Sequence, residues 1–584
     1  MILEMIQGPS DVKKLTKDER LTLADEIRNA LLKKLSKKGG HFGPNFGFVE
    51  ATIALHYVFD SPKDKLIFDV SHQCYPHKML TGRKDAFLYE EHYQDVSGYT
   101  NPLESEHDHF TVGHTSTSIS LACGLAKARD VKNEKGNVIA IIGDGSLSGG
   151  EALEGLNVAG ELNSNIIIVV NDNDMSIAEN HGGMYRNLKL LRDTKGEASC
   201  NLFKAMGLDY VFVDDGNDVE KLITVFQQVK DSNKPIVVHI VTEKGKGYQP
   251  AVENKEPWHY CAPFDIETGT SLMQSNTENY NQITGQFLIE KMKQDKSIVA
   301  ITAGTPTVMG FVEPLRKEAG NQFVDVGIAE ETAVAMASGI AKNGGKPIFG
   351  VYSTFIQRAY DQISHDVCIN QSAVTIPVFS GSIYDMRDVT HLGIYDIAML
   401  SNIPNLVYLA PVTKEEYLAM LEWSIEQLDY PVAIRVPAGK IISTGKQVMK
   451  DFSQLNTYEV VEKGSKVAIL GLGSFYSLAE KVKAMLMETL SIDATLINPQ
   501  YITGVDKQVL TDLIDDHNLV ITLEDGILDG GFGEKISRFY GATNMKVLNY
   551  GFKKEFLDRF DLHEVFYANR LSEEQIVEDV KASL

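Results

Sequence analysis

The sequence predicts an α/β protein of three successive doubly wound, mainly parallel-sheet domains. Three observations predict it. Short apolar runs of strand length alternate with helical patterns along most of the chain. A length of 584 residues suggests roughly three to four domains. Two polar stretches without helical or strand period, 266–282 and 440–456, separate the alternation into blocks. The expected domains are 1–265, 283–445 and 456–584, with 266–282 as a linker.

In the first block, the runs 138–142, 166–170 and 236–241 read as buried strands. Gly143-Asp144-Gly145 follows the first run and Asn171-Asp172-Asn173 follows the second, with a helical pattern over 151–161 between them. That is one β-α-β unit, so its strands should be parallel, with adjacent C-terminal ends. Asp144 and Asn173 then aim oxygen atoms into one crevice. A carboxylate and an amide oxygen suit a small hard cation such as Mg²⁺, which completes its octahedron with water and phosphate oxygens. The pattern marks where a diphosphate group would be held. In the second block, strands are expected at 297–303, 323–326, 347–352, 373–378, 406–409 and 432–436, with helices such as 332–342 and 414–428 between them. This is the pattern of an open parallel sheet covered on both faces. The third block repeats it with strands at 467–471, 494–498, 519–523 and 547–550.

Composition excludes several classes. A formal charge of −23 argues against broad binding to nucleic acid or anionic membranes, although a local positive site for a phosphorylated ligand remains compatible with it. No apolar run is long enough to span a bilayer. Residues 1–14 lack the charged-then-apolar order of a signal peptide. Cys74, Cys123, Cys200, Cys261 and Cys368 are too far apart in sequence for a zinc clip or a C-x-x-C pair. A reducing cytoplasm is the expected compartment.

Ordered motifs carry the reading further. They include Gly40-His41 with Asn45 and Glu50, Ser71-His72-Gln73 with His77-Lys78, and Gly113-His114-Thr115-Ser116-Thr117-Ser118. Asn171-Asp172-Asn173-Asp174-Met175-Ser176, Lys244-Gly245-Lys246-Gly247-Tyr248, Asp325-Val326-Gly327-Ile328-Ala329-Glu330 and Tyr352-Ser353-Thr354-Phe355-Ile356-Gln357-Arg358 follow. In this order the chain resembles the thiamine-diphosphate enzymes of the transketolase group, and within it the deoxyxylulose-phosphate synthase family, over nearly its whole length. The resemblance implies three transketolase-type domains for diphosphate, aminopyrimidine and C-terminal functions. It also implies thiamine diphosphate and Mg²⁺ as cofactors, a homodimer, and small-molecule substrates: pyruvate and an aldehyde, with glyceraldehyde 3-phosphate as the family's acceptor. The product would feed isoprenoid and thiamine biosynthesis.

Roles follow residue by residue from that resemblance. Asp144 and Asn173 match the metal ligands, with the Met175 carbonyl as a third. Gly145 and Ser146 sit where backbone N–H groups can face phosphate at a helix start. His72, Gly113, His114, Thr115 and Tyr248 match further cofactor contacts. Glu330 matches the carboxylate that promotes the imino form of the aminopyrimidine; taken alone, it would read as a glutamate favoured by the helix dipole. Phe355 matches the aromatic stacked on that ring; alone, it would read as helix–sheet packing. His41, His259 and His391 match the histidines lining the substrate funnel, candidates for handling protons on the pyruvate-derived unit and the acceptor carbonyl. Arg358 matches the arginine that holds a carboxylate or the acceptor, with a helix-surface ion pair as the even alternative.

The chain also departs from the family. Two arginines that grip the acceptor phosphate are replaced. One segment reads Val378-Phe379-Ser380-Gly381; the other, Arg435-Val436-Pro437-Ala438-Gly439, keeps only its first arginine. An arginine–phosphate fork supplies both energy and geometry, so Ser380 and Ala438 predict weak phosphate recognition. Arg387 stands where the family has aspartate and is either a new anion contact or a solvent-facing side chain. Glu330-Glu331-Thr332 replaces Glu-Gln-His, and the segment between Asn173 and Tyr248 is short for the family. The first reading is therefore a synthase joining pyruvate, minus CO₂, to glyceraldehyde 3-phosphate. The alternatives are a paralogue with another aldehyde, a transketolase-like ketol transfer, and a catalytically silent scaffold, against which Asp144, Asn173 and Glu330 all speak.

Overall fold

The computed structural model of the chain describes all residues except 274–277 and Asp385. Part of the expected linker, 274–277, therefore lies outside the described residues. The chain divides into two compact units. One comprises Met1–Asn276 with Gly327–Ala329; the other comprises Thr277–Val326 with Glu330–Leu584.

The first unit is built on a five-stranded parallel sheet: β1 (Lys65–Phe68), β2 (Val138–Gly143), β3 (Ile167–Asp172), β4 (Asp209–Val213) and β5 (Ile236–Val241). The order is β1-β2-β3-β5-β4. Central strands of Val and Ile are buried on both faces, which is why they read as unbroken apolar runs. One face packs against the helices Lys17–Lys38, Val49–Val58 and Val219–Val229, the other against Ser118–Val131 and α1 (Gly150–Leu162). The expected β-α-β unit is β2-α1-β3, parallel from Ile139↔Ile167 to Gly143↔Asn171. Strand β3 runs on through Asn171 and Asp172, two residues beyond the expected apolar run, and Asn173 opens the following loop. The sequence pattern did not predict β1 or β4. Strand β1 is four residues long, and β4 is a half-buried edge strand.

The second unit holds two sheets. The first contains β6 (Ile298–Thr302), β7 (Phe323–Asp325), β8 (Lys346–Phe349), β9 (Val351–Tyr352), β10 (Thr375–Phe379), β11 (Val407–Leu409) and β12 (Val432–Arg435). Its order is β11-β12-β10-β8-β6-β7, with β9 also pairing β10. The expected single strand over 347–352 is broken at Gly350, where a Cβ would fall 2.1 Å from the Met309 side chain. The other sheet has β13 (Glu459–Glu462), β14 (Lys466–Gly471), β15 (Thr495–Asn498), β16 (His517–Ile527) and β17 (Lys546–Phe552), in the order β13-β15-β14-β16-β17. It is parallel except for the edge strand β13, which runs antiparallel to β15 and was not expected. One apolar cluster takes side chains from both sheets, including Ile376, Val378, Ala468, Leu470 and Val520.

The polar stretch 266–282 is not all connector. Phe264 bridges Ser271, and the helix Tyr280–Gln294 begins inside it, with the Asn279 side chain accepting from the Gln282 N–H. A capping asparagine is polar for a structural reason, and composition alone reads it as linker. No helix among the described residues is long and apolar enough to cross a membrane.

Helix α1 supplies a test of this packing. A Cβ on its Gly160 would lie 2.1 Å from the carbonyl oxygen of Met206. Helix propensity favours alanine there by about 1 kcal/mol, whereas overpacking against backbone costs roughly 1–3 kcal/mol. Gly160→Ala should therefore lower the urea midpoint of unfolding; an increase would show that the helix can shift away from Met206.

Candidate active site

Asp144 leaves the end of β2 as the cap of a short turn, Gly145–Ser148, and is buried. Its Oδ2 accepts from the Met175 N–H at 3.1 Å and from the Asn180 amide at 2.7 Å. Asp174, at φ 57°, turns the chain after β3 so that Met175 can reach back. The structure thus fixes Met175 through its N–H. Burial, reinforced by the nearby Asp172 charge, pushes the Asp144 carboxyl up to about 7. Among the described residues, the side-chain oxygens of Asn173 and Asn180 are buried without a hydrogen-bond partner. No group of three or more His, Cys, Asp and Glu that could hold a metal occurs among the described residues. The donors here are one carboxylate and amide oxygens, a set that fits a hard divalent cation.

Gly145 and Ser146 lie in the same turn. The Gly145 carbonyl accepts from the Tyr185 hydroxyl at 3.3 Å, and the Ser146 carbonyl accepts from the Ser116 hydroxyl at 2.8 Å. Gly149, which caps the start of α1, is needed for this approach, since a Cβ there would meet the Ser116 Oγ at 2.1 Å. The loop carrying Gly113, His114 and Thr115 is set by Asp69, whose buried carboxylate accepts from the N–H groups of Ser116 at 2.7 Å and Ser118 at 3.0 Å. Val70 and Ser71 follow Asp69 at φ 57° and 65°. A β-branched residue in the left-handed region costs on the order of 1–3 kcal/mol, and this turn delivers His72 to the site.

Three histidines gather in the first unit. The His41 ring lies 5.1 Å from His72 and 5.9 Å from His259, and His72 stacks on His259 at 5.2 Å. Asn45, expected only as part of a motif, holds two of them. Its amide donates to the carbonyls of His41 at 2.8 Å and His72 at 2.7 Å, and its oxygen accepts from the Tyr75 N–H at 2.9 Å. Lys244 had no expected role either. It is buried, donates to the Ser176 carbonyl at 2.5 Å and to His259 Nδ1 at 3.2 Å, and so ties the loop after β3 to the histidines. Burial pulls its ammonium down to about 7, against the pull of Asp144. Burial, then Lys244 and the other two imidazoles, hold His259 neutral. Arg28 fixes the Lys244–Tyr248 segment by donating to the Lys246 carbonyl at 3.1 Å while paired with Glu50 at 2.6 Å. Tyr248 packs among Phe42, Trp258 and Phe264, with its hydroxyl on the Ile266 carbonyl at 2.9 Å.

In the second unit, Glu330 begins α3 (Glu330–Lys342) and is 3% exposed. Its Oε2 accepts no hydrogen bond among the described residues and lies 3.8 Å from Arg358 Nη1. Burial pushes the carboxyl up to about 7 in spite of the guanidinium. Phe355 and Arg358 share the turn Phe355–Ala359, and Phe355 meets the His391 ring at 5.7 Å. His391 Nδ1 lies 2.8 Å from the Thr390 hydroxyl. Of the expected residues, this unit brings together Glu330, Phe355, Arg358 and His391; the first unit brings together Asp144, Asn173 and Met175, and His41, His72 and His259.

The departing positions are equally defined. Ser380 sits at φ 54°, its carbonyl so close to Gly393 that a Cβ there would be 1.9 Å away. The Ala438 N–H donates to the Ser474 hydroxyl at 3.1 Å. The Arg387 side chain is exposed, and its carbonyl accepts from the Arg559 N–H at 2.7 Å. The retained arginine, Arg435, is a buried clamp. It donates to Asp396 at 2.7 Å, to Asp525, and to the Gly393 carbonyl at 3.2 Å, while Tyr408 also donates to Asp396. It is committed to these contacts.

The chain matches family models of the transketolase class along most of its length. Residues 3–199 and 192–242 match 1-deoxy-D-xylulose-5-phosphate synthase, 277–441 the transketolase pyrimidine binding domain, and 456–576 the transketolase C-terminal domain. The 1-deoxy-D-xylulose-5-phosphate synthase of Clostridium tetani is 39% identical, covering 99% of each chain. That of Caldanaerobacter subterraneus is 38% identical, covering 99% of this chain and 98% of its own. A transketolase structure from Pichia stipitis is 16% identical over 97% of each chain, at a TM-score of 0.44. The chain belongs to the 1-deoxy-D-xylulose-5-phosphate synthase family, whose members depend on thiamine diphosphate.

The clamp can be tested directly. Arg435→Met would leave Asp396 and Asp525 buried without their counter-charge, at a cost of about 3–5 kcal/mol. A large loss of stability in urea is the expected result; an unchanged midpoint would mean that the two carboxylates find another partner.

Proposed function

We propose that this protein is a transferase that condenses pyruvate, with loss of CO₂, with glyceraldehyde 3-phosphate to give 1-deoxy-D-xylulose 5-phosphate. One observation carries the reading. In a chain that matches synthases end to end, Glu330 is buried with an oxygen that accepts no hydrogen bond among the described residues. When bound, thiamine diphosphate supplies the acidic ring carbon at which pyruvate is taken up and decarboxylated.

The chain's own residues have defined parts in this reading. Asp144, Asn173 and Met175 would hold Mg²⁺, and through it the diphosphate. Gly145, Ser146, His72, Gly113, His114, Thr115 and Tyr248 are the proposed surroundings of the cofactor in the first unit. In the second unit, Phe355 offers a stacking face and Glu330 a carboxyl whose raised proton affinity suits sharing a proton with a ring nitrogen. His259 is held neutral, and its proposed place is in the lining of the substrate funnel beside His41 and His72. His41 and His391 are proposed to handle protons on the pyruvate-derived unit and the aldehyde, and Arg358 to hold a carboxylate. A cytoplasmic homodimer with diphosphate, pyrimidine and C-terminal domains completes the proposal.

A second reading is favoured by a specific observation. Ser380 and Ala438 offer no guanidinium, and Arg435 is locked in its clamp. A paralogue that uses the same donor with a less anionic aldehyde fits these positions. A panel of aldehydes with and without phosphate, pyruvate as donor and products identified by mass, separates the two readings.

Three outcomes are expected. Glu330→Ala should abolish turnover while leaving the melting profile largely intact, and normal turnover would remove Glu330 from the mechanism. If the second reading holds, KM for glyceraldehyde 3-phosphate is high and falls when Ser380→Arg and Ala438→Arg are combined; a low KM in the unaltered protein refutes it. The third concerns pH. The Glu330 carboxyl titrates at about 7 in the fold against 4.5 for the ordinary group, so the unfolded chain binds fewer protons between these values. Stability contributed at this position therefore falls as pH rises from about 4.5 to 7, by on the order of 3 kcal/mol. Without cofactor, Glu330→Gln should raise the melting temperature at pH 8 and change it little at pH 4; equal effects at both would refute the titration.

A further inference from the structure

Helix α2 (Met184–Asp193) touches the ends of both strands that frame the cation loop. Tyr185, near its start, donates its hydroxyl to the Asp144 carbonyl at 3.1 Å and the Gly145 carbonyl at 3.3 Å, both at the end of β2. Arg192, about two turns further along, places Nη1 2.7 Å from each Asp172 carboxylate oxygen and Nη2 2.7 Å from Asp174. Asp172 ends β3, and Asp174 lies in the following loop between Asn173 and Met175. Leu188 and Leu191, between the two grips, are fully buried in the core beneath the sheet. Asp172 is held from its other side by His239 Nε2 at 2.8 Å, and the Tyr210 hydroxyl lies 2.8 Å from the second nitrogen of that imidazole.

We propose that α2 is a brace for the cation site, with Tyr185 and Arg192 as positioning residues. Tyr185 fixes the backbone beneath Asp144. Arg192 pairs with both Asp172 and Asp174 and so ties the 172–175 turn, which carries Asn173 and Met175, to α2. Neither side chain is among the proposed cation ligands. Both act by fixing the separation of two ligands carried on different strands, the way in which outer partners of metal ligands set affinity. The proposal rests on the Mg²⁺ and diphosphate reading above.

The test uses the full-length protein with thiamine diphosphate and Mn²⁺ as the probe, free Mn²⁺ being read by its electron paramagnetic resonance signal. Arg192→Gln should weaken Mn²⁺ binding by roughly 10- to 100-fold, and Arg192→Lys should recover part of that loss. Tyr185→Phe, which removes a single hydroxyl, should weaken binding several-fold. Arg186→Ala, an exposed position on the same helix, should leave binding unchanged. At saturating metal the pyruvate KM of Arg192→Lys should match that of the unaltered enzyme, which separates positioning from a substrate role. A folded Arg192→Gln protein that binds Mn²⁺ as tightly as the unaltered one overturns the proposal. Should that variant not fold, Tyr185→Phe with undiminished Mn²⁺ affinity overturns it instead. Failure of the unaltered protein to bind Mn²⁺ with the cofactor would remove the cofactor reading itself and be recognised as such.

Discussion

Three carboxylates lie inside the first unit near the C-terminal ends of adjacent strands, and the local structure is arranged around their charge. An ionised carboxylate in a poorly polarisable interior requires a counter-charge or several N–H donors. Asp69 receives two backbone N–H groups, and in doing so shapes the turn that carries residues 113–118. Asp172 receives a guanidinium and an imidazole. Asp144 receives one backbone N–H and one amide, with no cation in direct contact among the described residues. The uneven treatment gives the site its character: two acids are spent on architecture, and the third is kept short of positive charge beside unpaired amide oxygens. Lys244 belongs to the same balance, since it is buried, weakly basic, and stands between this loop and the histidines.

The second unit applies the same contrast to an acid and an arginine. Glu330 is buried with one neighbouring guanidinium and no hydrogen bond to its Oε2 among the described residues, so its proton is loosely assigned. Arg435 is buried with two carboxylates and a carbonyl, so its charge is fully used. The first arrangement leaves a buried acid short of partners, and the second surrounds a buried cation with them. Gly393, which accepts from Arg435, lies two residues beyond His391, so the clamp also anchors the loop on which that histidine is carried.

The sequence resolves what is local. The β2-α1-β3 unit, its parallel register and the oxygen atoms at its strand ends are legible because strand–helix–strand periodicity and two short motifs lie within about one supersecondary unit of each other. The strands β1, β4 and β13 are not: β1 has a buried apolar run of only three residues, β4 is a half-buried edge strand, and β13 is exposed and begins and ends with glutamate. Site residues divide along the same line. Asp144, Asn173 and Glu330 sit inside recognisable motifs. The positioning work of Asn45, Lys244, Tyr185 and Arg192 depends on partners far along the chain or on a helix whose surroundings only the fold reveals. Arg435 illustrates the reverse case: a motif arginine whose residue type suggests a ligand contact and whose burial shows a lock.

Strand β13 has one more effect. It is the outermost strand of its sheet, all four of its residues are exposed, and it both begins and ends with glutamate. An open strand edge is a template on which other chains can zip together, and charge along it is the usual safeguard. Two such edges approaching each other would bring four carboxylates together on molecules that already carry a net charge of −23. The glutamates at either end of β13, one of them also paired with Lys483 at 3.2 Å, thus set like charge along the margin of the sheet and disfavour edge-to-edge association of two copies.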